Sequence, residues 1–155
     1  MSRLQVAFGA GMRSALLAWL CCAMLFLGTA PALAGDIQVV VSRDVPRSKP
    51  LPRYSLIAIF GMRMTTWPDG TAIRVFVLRN DHPLHPRFCK EVLQVFPHQL
   101  QAAWDRLVFS GTGQAPEVVD SEEEMRERVS RTPGAIGYLH KDQIDNSLAI
   151  LPLAL

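Results

Sequence analysis

The sequence predicts an α/β fold, a single three-layer domain built on a mostly parallel sheet. Three observations predict it. Strand-like runs rich in β-branched or apolar residues stand at Ile37 to Val41, Ile73 to Leu78 and Ala135 to Leu139. Between them lie stretches whose apolar residues recur at helical spacing, such as Leu100, Trp104, Leu107 and Val108. Proline, glycine and aspartate cluster at the joints. Strands alternating with helices are the pattern of a sheet covered by helices.

The first 34 residues read as a cleaved signal peptide. Arg3 and Arg13 make a positive start, Ala15 to Gly28 is apolar and uncharged, and Ala32-Leu33-Ala34 is a small-x-small cleavage pattern. The apolar run is shorter than the roughly 20 residues a spanning helix needs. Neither Cys21 nor Cys22 follows the small residues of a lipoprotein signal. The expected product is a periplasmic chain, residues 35–155, with no membrane span after cleavage.

Loss of Arg3 and Arg13 leaves 14 basic residues against 14 acidic ones, so the mature chain is formally neutral. Nothing in that balance points to nucleic acid. The charge is unevenly placed. Residues 35–114 hold ten basic and six acidic side chains, and residues 115–155 hold four and eight. Cys89 remains alone after cleavage, which excludes an intramolecular disulfide and suits a small buried side chain on a helix.

Taken in order, Ile37 to Val41 reads as a buried strand, and Pro46, Pro50 and Pro52 make the next stretch an extended connection. Tyr54 to Phe60 reads as a short helix with Leu56, Ile57, Ile59 and Phe60 apolar. Trp67-Pro68-Asp69-Gly70-Thr71 is a turn. Proline pre-sets φ, aspartate can bond the backbone two residues on, and glycine accepts positive φ. Ile73 to Leu78 is an inner strand. A helix is expected to start between Pro83 and Arg87, burying Leu84, Phe88, Val92 and Val95.

Pro97 opens a further helix that stops at Ser110-Gly111. Gly111 to Val119 reads as loop. Ser121 to Glu124 has the spacing of a capping box, and the helix it starts runs to about Ser130. Ala135 to Leu139 is a short strand, with another expected within Ala149 to Leu153.

No catalytic constellation is present in the sequence, so an enzyme is not expected. No nucleophile elbow occurs, and Gly111-Thr112-Gly113 lacks the strand and lysine of a phosphate loop. His82 and His85 are three apart, but Pro83 and Pro86 keep them off a regular helix face, and no cofactor or metal is expected. One place suits an anion. At Arg79 to Arg87 a strand end meets a helix start, where free N–H groups and the dipole favour negative charge. Arg79, Asn80, His82 and His85 are the candidate ligand-binding residues. Trp67, Asp69, Gly70, Trp104, Gly134 and Tyr138 are expected to be scaffold.

Three stretches together resemble the substrate-binding proteins of phosphate ABC transporters. They are Ile59-Phe60 through Trp67-Pro68-Asp69-Gly70-Thr71, the helix from Leu100 to Gly113 with Trp104, and Thr132-Pro133-Gly134-Ala135-Ile136-Gly137-Tyr138. The resemblance implies one lobe of a type 2 periplasmic-binding fold, in a short single-lobe relative of that family. It implies phosphate or another small anion as ligand, weakly bound, and a second protein chain or an ABC-transporter component as partner. Where the family has a Ser-Gly-Thr turn after an arginine, this chain reads Asp81-His82-Pro83-Leu84. A proline has no N–H and leucine has no hydroxyl, so donors for a buried anion are lost. The second expectation left open is therefore an envelope protein-interaction module that kept the scaffold and lost the ligand, binding its partner through an apolar or acidic surface such as the Glu122 face.

Overall fold

The computed structural model describes residues 36–154. The expected leader, residues 1–34, lies outside the described residues. Among those described, no helix is long and apolar enough to cross a membrane. The chain runs β1 (Ile37–Val41), β2 (Leu51–Pro52), α1 (Arg53–Phe60), β3 (Arg74–Leu78), α2 (Leu84–Arg87), a π-helical segment (Phe88–Leu93) and α3 (Pro97–Phe109). It continues through β4 (Glu117–Val119), α4 (Glu122–Arg131), β5 (Ala135–His140), a 3₁₀ turn (Lys141–Gln143), β6 (Ala149–Ile150) and β7 (Leu153–Ala154).

The main sheet has the order β4-β3-β5-β1-β6. β3 pairs in parallel with β4 and β5, while β1 lies antiparallel to β5 and β6. With the parallel β2–β7 pair, three of the five ladders are parallel. The antiparallel ladders both involve β1.

Neighbouring residues of β5 show why the domain has three layers, because successive side chains of a strand point to opposite faces. Gly137 faces Met125 and Val129 of α4, so closely that a Cβ there would overlap the Met125 sulfur. Tyr138, the next residue, stacks on Phe88 at 3.8 Å and bonds His85 of α2. α4 therefore covers one face, and α2 with the π segment covers the other. Val39, Val75, Phe76, Ile136 and Leu139 are buried in the sheet between them.

The turn after α1 follows its residue chemistry. Gly70 has φ +89°, and the Thr71 N–H donates to Asp69 Oδ1 at 2.9 Å. The Trp67 N–H reaches Thr71 O at 2.8 Å, which closes the turn. The Trp67 ring is buried, and its Nε1–H donates to Gly134 O at 3.0 Å. Gly134 has φ +71°, and a Cβ there would run into Ala72 O. Two distant turns are thus locked together. Trp104 is anchored likewise, its Nε1–H donating to Phe60 O at 2.8 Å.

Several elements differ from expectation. Glu117–Val119, expected to be loop, is an edge strand because β3 offers it a parallel ladder. Leu51–Pro52 pairs with Leu153–Ala154, and the expected terminal strand is two short ones in different sheets. After α2 the helix widens into a π turn ending at Gln94 with φ 57°. Widening places Phe88 and Leu93, five apart, both in the core, with Leu84 and Cys89. Val92 and Val95, expected to be buried, are only half-buried. Ser121 Oγ accepts from the Glu124 N–H at 3.1 Å, but Glu124 Oε2 reaches the Asp120 N–H instead of that of Ser121.

Candidate functional site

The strand-end loop forms where β3 leaves the sheet. Parallel pairing brings the ends of β3 and β4 side by side, and the Arg79 N–H donates to Val119 O at 3.2 Å. A cleft of about 350 Å³ opens there, lined by Leu78, Arg79, Asn80, Asp81, Gln101 and Trp104 among others. Two expected ligand residues, Arg79 and Asn80, thus share one cleft at the carboxyl end of a parallel strand, the usual location of a ligand in such sheets.

Arg79 is already engaged. Its Nε and Nη2 donate to both oxygens of Asp81 at 3.1 and 2.8 Å, and its Nη1 lies 3.5 Å from Asp120 Oδ1. The hydrogen bond and charge of Asp81, then those of Asp120, raise the guanidinium above its ordinary pKa. One cation facing two carboxylates leaves this corner formally net negative. Asn80 Nδ2 donates to Gln101 Oε1 at 3.2 Å. An incoming anion would have to displace these bonds.

The helix start beyond the loop is also occupied. The Leu84 N–H donates to His82 Nδ1 at 3.2 Å, and the His85 N–H donates to His82 O at 3.0 Å. Pro83 and Pro86 have no N–H to give. The donors that make a helix N-terminus attractive to anions are therefore absent or consumed within the loop. His82 acts as a cap for α2.

His85 stands apart from the other three candidates. It is buried, and its Nδ1 lies 2.7 Å from Tyr138 Oη, which also accepts from the Leu78 N–H at 3.0 Å. If the single tyrosine proton goes to Nδ1, the imidazole proton sits on Nε2, which faces Cys89 Sγ at 3.7 Å. Burial first, and the charge of His82 second, hold His85 below its ordinary pKa. Burial pushes the Cys89 thiol up to about 12, and it also raises the Tyr138 phenol. Neither group is a nucleophile at neutral pH.

A second cluster was not legible in the sequence. Arg87 Nε pairs with Glu91 Oε1 at 3.1 Å, and Arg87 Nη1 donates to His140 Nε2 at 3.3 Å. His140 Nδ1 meets Glu122 Oε1 at 2.8 Å, and the His140 N–H donates to Glu122 Oε2 at 2.8 Å. Arg87 and Glu91 are a local i,i+4 pair, but Glu122 and His140 join them from 31 or more residues away, so no local spacing reveals the cluster. Every charge in it has a partner. Among the described residues, no group of three or more His, Cys, Asp or Glu side chains could hold a metal.

The sequence matches no protein-family model and no curated protein. Its fold does match solved structures. An ABC-type phosphate transport receptor from Vibrio cholerae superposes with TM-score 0.57 at 18% identity, over 75% of this chain and 45% of that one. A phosphate-bound protein from Clostridium perfringens, described as a candidate substrate-binding protein of a phosphate ABC transporter, gives 0.62 at 16%, over 76% and 44%. PstS from Borrelia burgdorferi gives 0.57 at 20%, over 76% and 47%. The chain has the fold of phosphate ABC transporter substrate-binding proteins. It spans under half the length of each matched structure, the extent of a partial lobe. Arg79 and Asn80 line the strand-end cleft of this fold, while His85 belongs to the core.

Proposed function

We propose that the chain is an exported periplasmic protein that keeps a solute-binding scaffold and uses it as a protein-interaction module of the envelope. The leader pattern of residues 1–34 supports export, and the fold supports descent from a binding protein. The observation that carries the loss of ligand is the double clamp on Arg79 by Asp81 and Asp120. A buried anion needs many directed donors, and here they are taken or missing. Calorimetry of residues 35–155 with inorganic phosphate tests this. The expected result is no heat and no thermal shift at millimolar phosphate; a dissociation constant below about 1 mM, or −4.1 kcal/mol, overturns it.

A second reading is weak capture of phosphate or another small anion in the strand-end cleft, favoured by Arg79 and Asn80 lining it. It requires Arg79 to leave its two carboxylates. Under it, Asp81→Asn with Asp120→Asn would tighten phosphate binding at least about tenfold, or 1.4 kcal/mol, and Arg79→Ala would abolish it.

We do not place the partner on the Glu122 face, because its carboxylates already meet groups of this chain. Glu122 is bound to His140, Glu124 caps the helix, and Glu123 and Glu127 lie against Arg126 and Arg131. Those carboxylates are already compensated within the chain. A surface with unspent charge and apolar area is needed instead.

A further inference from the structure

α1 and α3 flank a groove of about 500 Å³ that shares no lining residue with the strand-end cleft. Ile57, Leu100, Ala103 and Leu107 are among its apolar lining, and Arg63 and Arg106 also line it. On α3 the lining residues Gln99, Ala103, Arg106, Leu107 and Ser110 recur at helical spacing, so the groove follows one face of that helix. From position 99 to 110 that face is about 16 Å long, the reach of about three turns of a partner helix. Tyr54, three residues before Ile57 on α1 and outside that lining, is 75% exposed.

The charge is unspent as well. Arg79, Arg87, Arg126, Arg128 and Arg131 each lie against a carboxylate of this chain. Arg63 and Arg106 are exposed and, like Arg47 and Arg74 elsewhere on the surface, have no such partner among the described residues; only Arg63 and Arg106 line the groove. An apolar floor flanked by two free guanidinium groups complements an amphipathic helix with carboxylates beside its apolar stripe. A small anion would gain nothing from the floor, and an uncharged helix nothing from the arginines.

We infer that the α1–α3 groove docks an acidic amphipathic helix of a partner protein, with apolar side chains at i, i+4 and i+7 over Ala103 and Leu107 and carboxylates on Arg63 and Arg106. This rests on the reading of the chain as an interaction module. The test is selection of a random 16-residue peptide library displayed on phage against residues 35–155. Enriched peptides should carry Leu, Ile or Phe at helical spacing together with Asp or Glu. The best peptide, followed by fluorescence anisotropy, should bind at least about tenfold more weakly to Arg63→Glu/Arg106→Glu. Both positions are exposed, and circular dichroism will confirm that the variant is folded.

No enrichment, peptides without acidic residues, or equal binding to the variant would overturn the groove. Adsorption to phosphatidylglycerol vesicles that the double substitution abolishes would assign the arginines to lipid and overturn it too. So would a dimer in light scattering that the same substitution dissociates. Phosphate calorimetry on the same sample separates the two levels. Phosphate heat overturns the underlying reading, whereas silent phosphate with no peptide binding overturns the groove alone.

Discussion

Replacing Tyr138 by phenylalanine removes one oxygen and strands two buried groups. The ring is 0% exposed and stacks on Phe88, so phenylalanine fills the same space without a cavity. The Leu78 N–H loses its acceptor at 3.0 Å, and His85 Nδ1 loses its donor at 2.7 Å. Leaving a buried polar group unpaired costs about 1–3 kcal/mol each. Part is recovered because the hydroxyl itself no longer has to be desolvated, by about 1–3 kcal/mol. The expected net loss is on the order of 2 kcal/mol, or about 8 °C in midpoint for a domain of this size. Urea unfolding followed by tryptophan fluorescence should show a lower midpoint with an unchanged slope. Nitrogen-15 correlation spectra should report the His85 proton on Nε2 in the parent protein. A change below about 0.5 kcal/mol, within the range of ordinary surface substitutions, would refute the view that this network is desolvated. A proton found on Nδ1 would refute its direction.

Three further outcomes follow from the core. His85 is held below its ordinary pKa by burial, so the unfolded chain binds more protons below about pH 6.5. Stability should be full above that pH and fall as pH drops toward the folded-state value, by at most about 1.4 kcal/mol per unit. Denaturant midpoints from pH 7.5 to 5 for the parent and for His85→Phe check this, the variant showing a shallower slope. Trp67→Ala should cost about 3–5 kcal/mol, since it removes a buried aromatic and its bond to Gly134; an unchanged midpoint would show that the ring contributes nothing to the joint. Gly137→Ala should cost about 1–3 kcal/mol by forcing Met125 and Val129 off β5, read as a lower melting temperature.

What was legible in the sequence was local. Asp69 bonds Thr71 two residues on, Pro97 starts α3, and Ser121 caps Glu124, each within one turn of chain. Glu117–Val119 was not legible, because three residues carry little periodicity and become a strand only against β3. The π segment was missed for a related reason. Its widened turn moves the buried side by one residue, from Val92 to Leu93, and helical spacing assumes a regular turn. At the candidate site, Asp81 lies two residues from Arg79 and was in plain view. Asp120 is 41 residues away and reaches it only through the β3–β4 ladder. The His85–Tyr138 bond spans 53 residues, so nothing local separated a core histidine from a ligand.

The same distances explain how the fold can hold while the loop between β3 and α2 varies. Trp67 is tied to Gly134, Trp104 to Phe60, and Tyr138 to Leu78 and His85. None of these bonds uses a side chain of Asn80, Asp81 or Pro83. The loop between β3 and α2 therefore carries little of the core's stability, and Asp81 sits there at no cost to packing, 70% exposed. His82 is the exception, because its ring and carbonyl both hold the start of α2. Side chains at 80 and 81 can change without touching these bonds, whereas position 82 is bound to the helix. Freeing Arg79 would thus begin at Asp81 and Asp120, which hold its guanidinium, and would leave His82 in place.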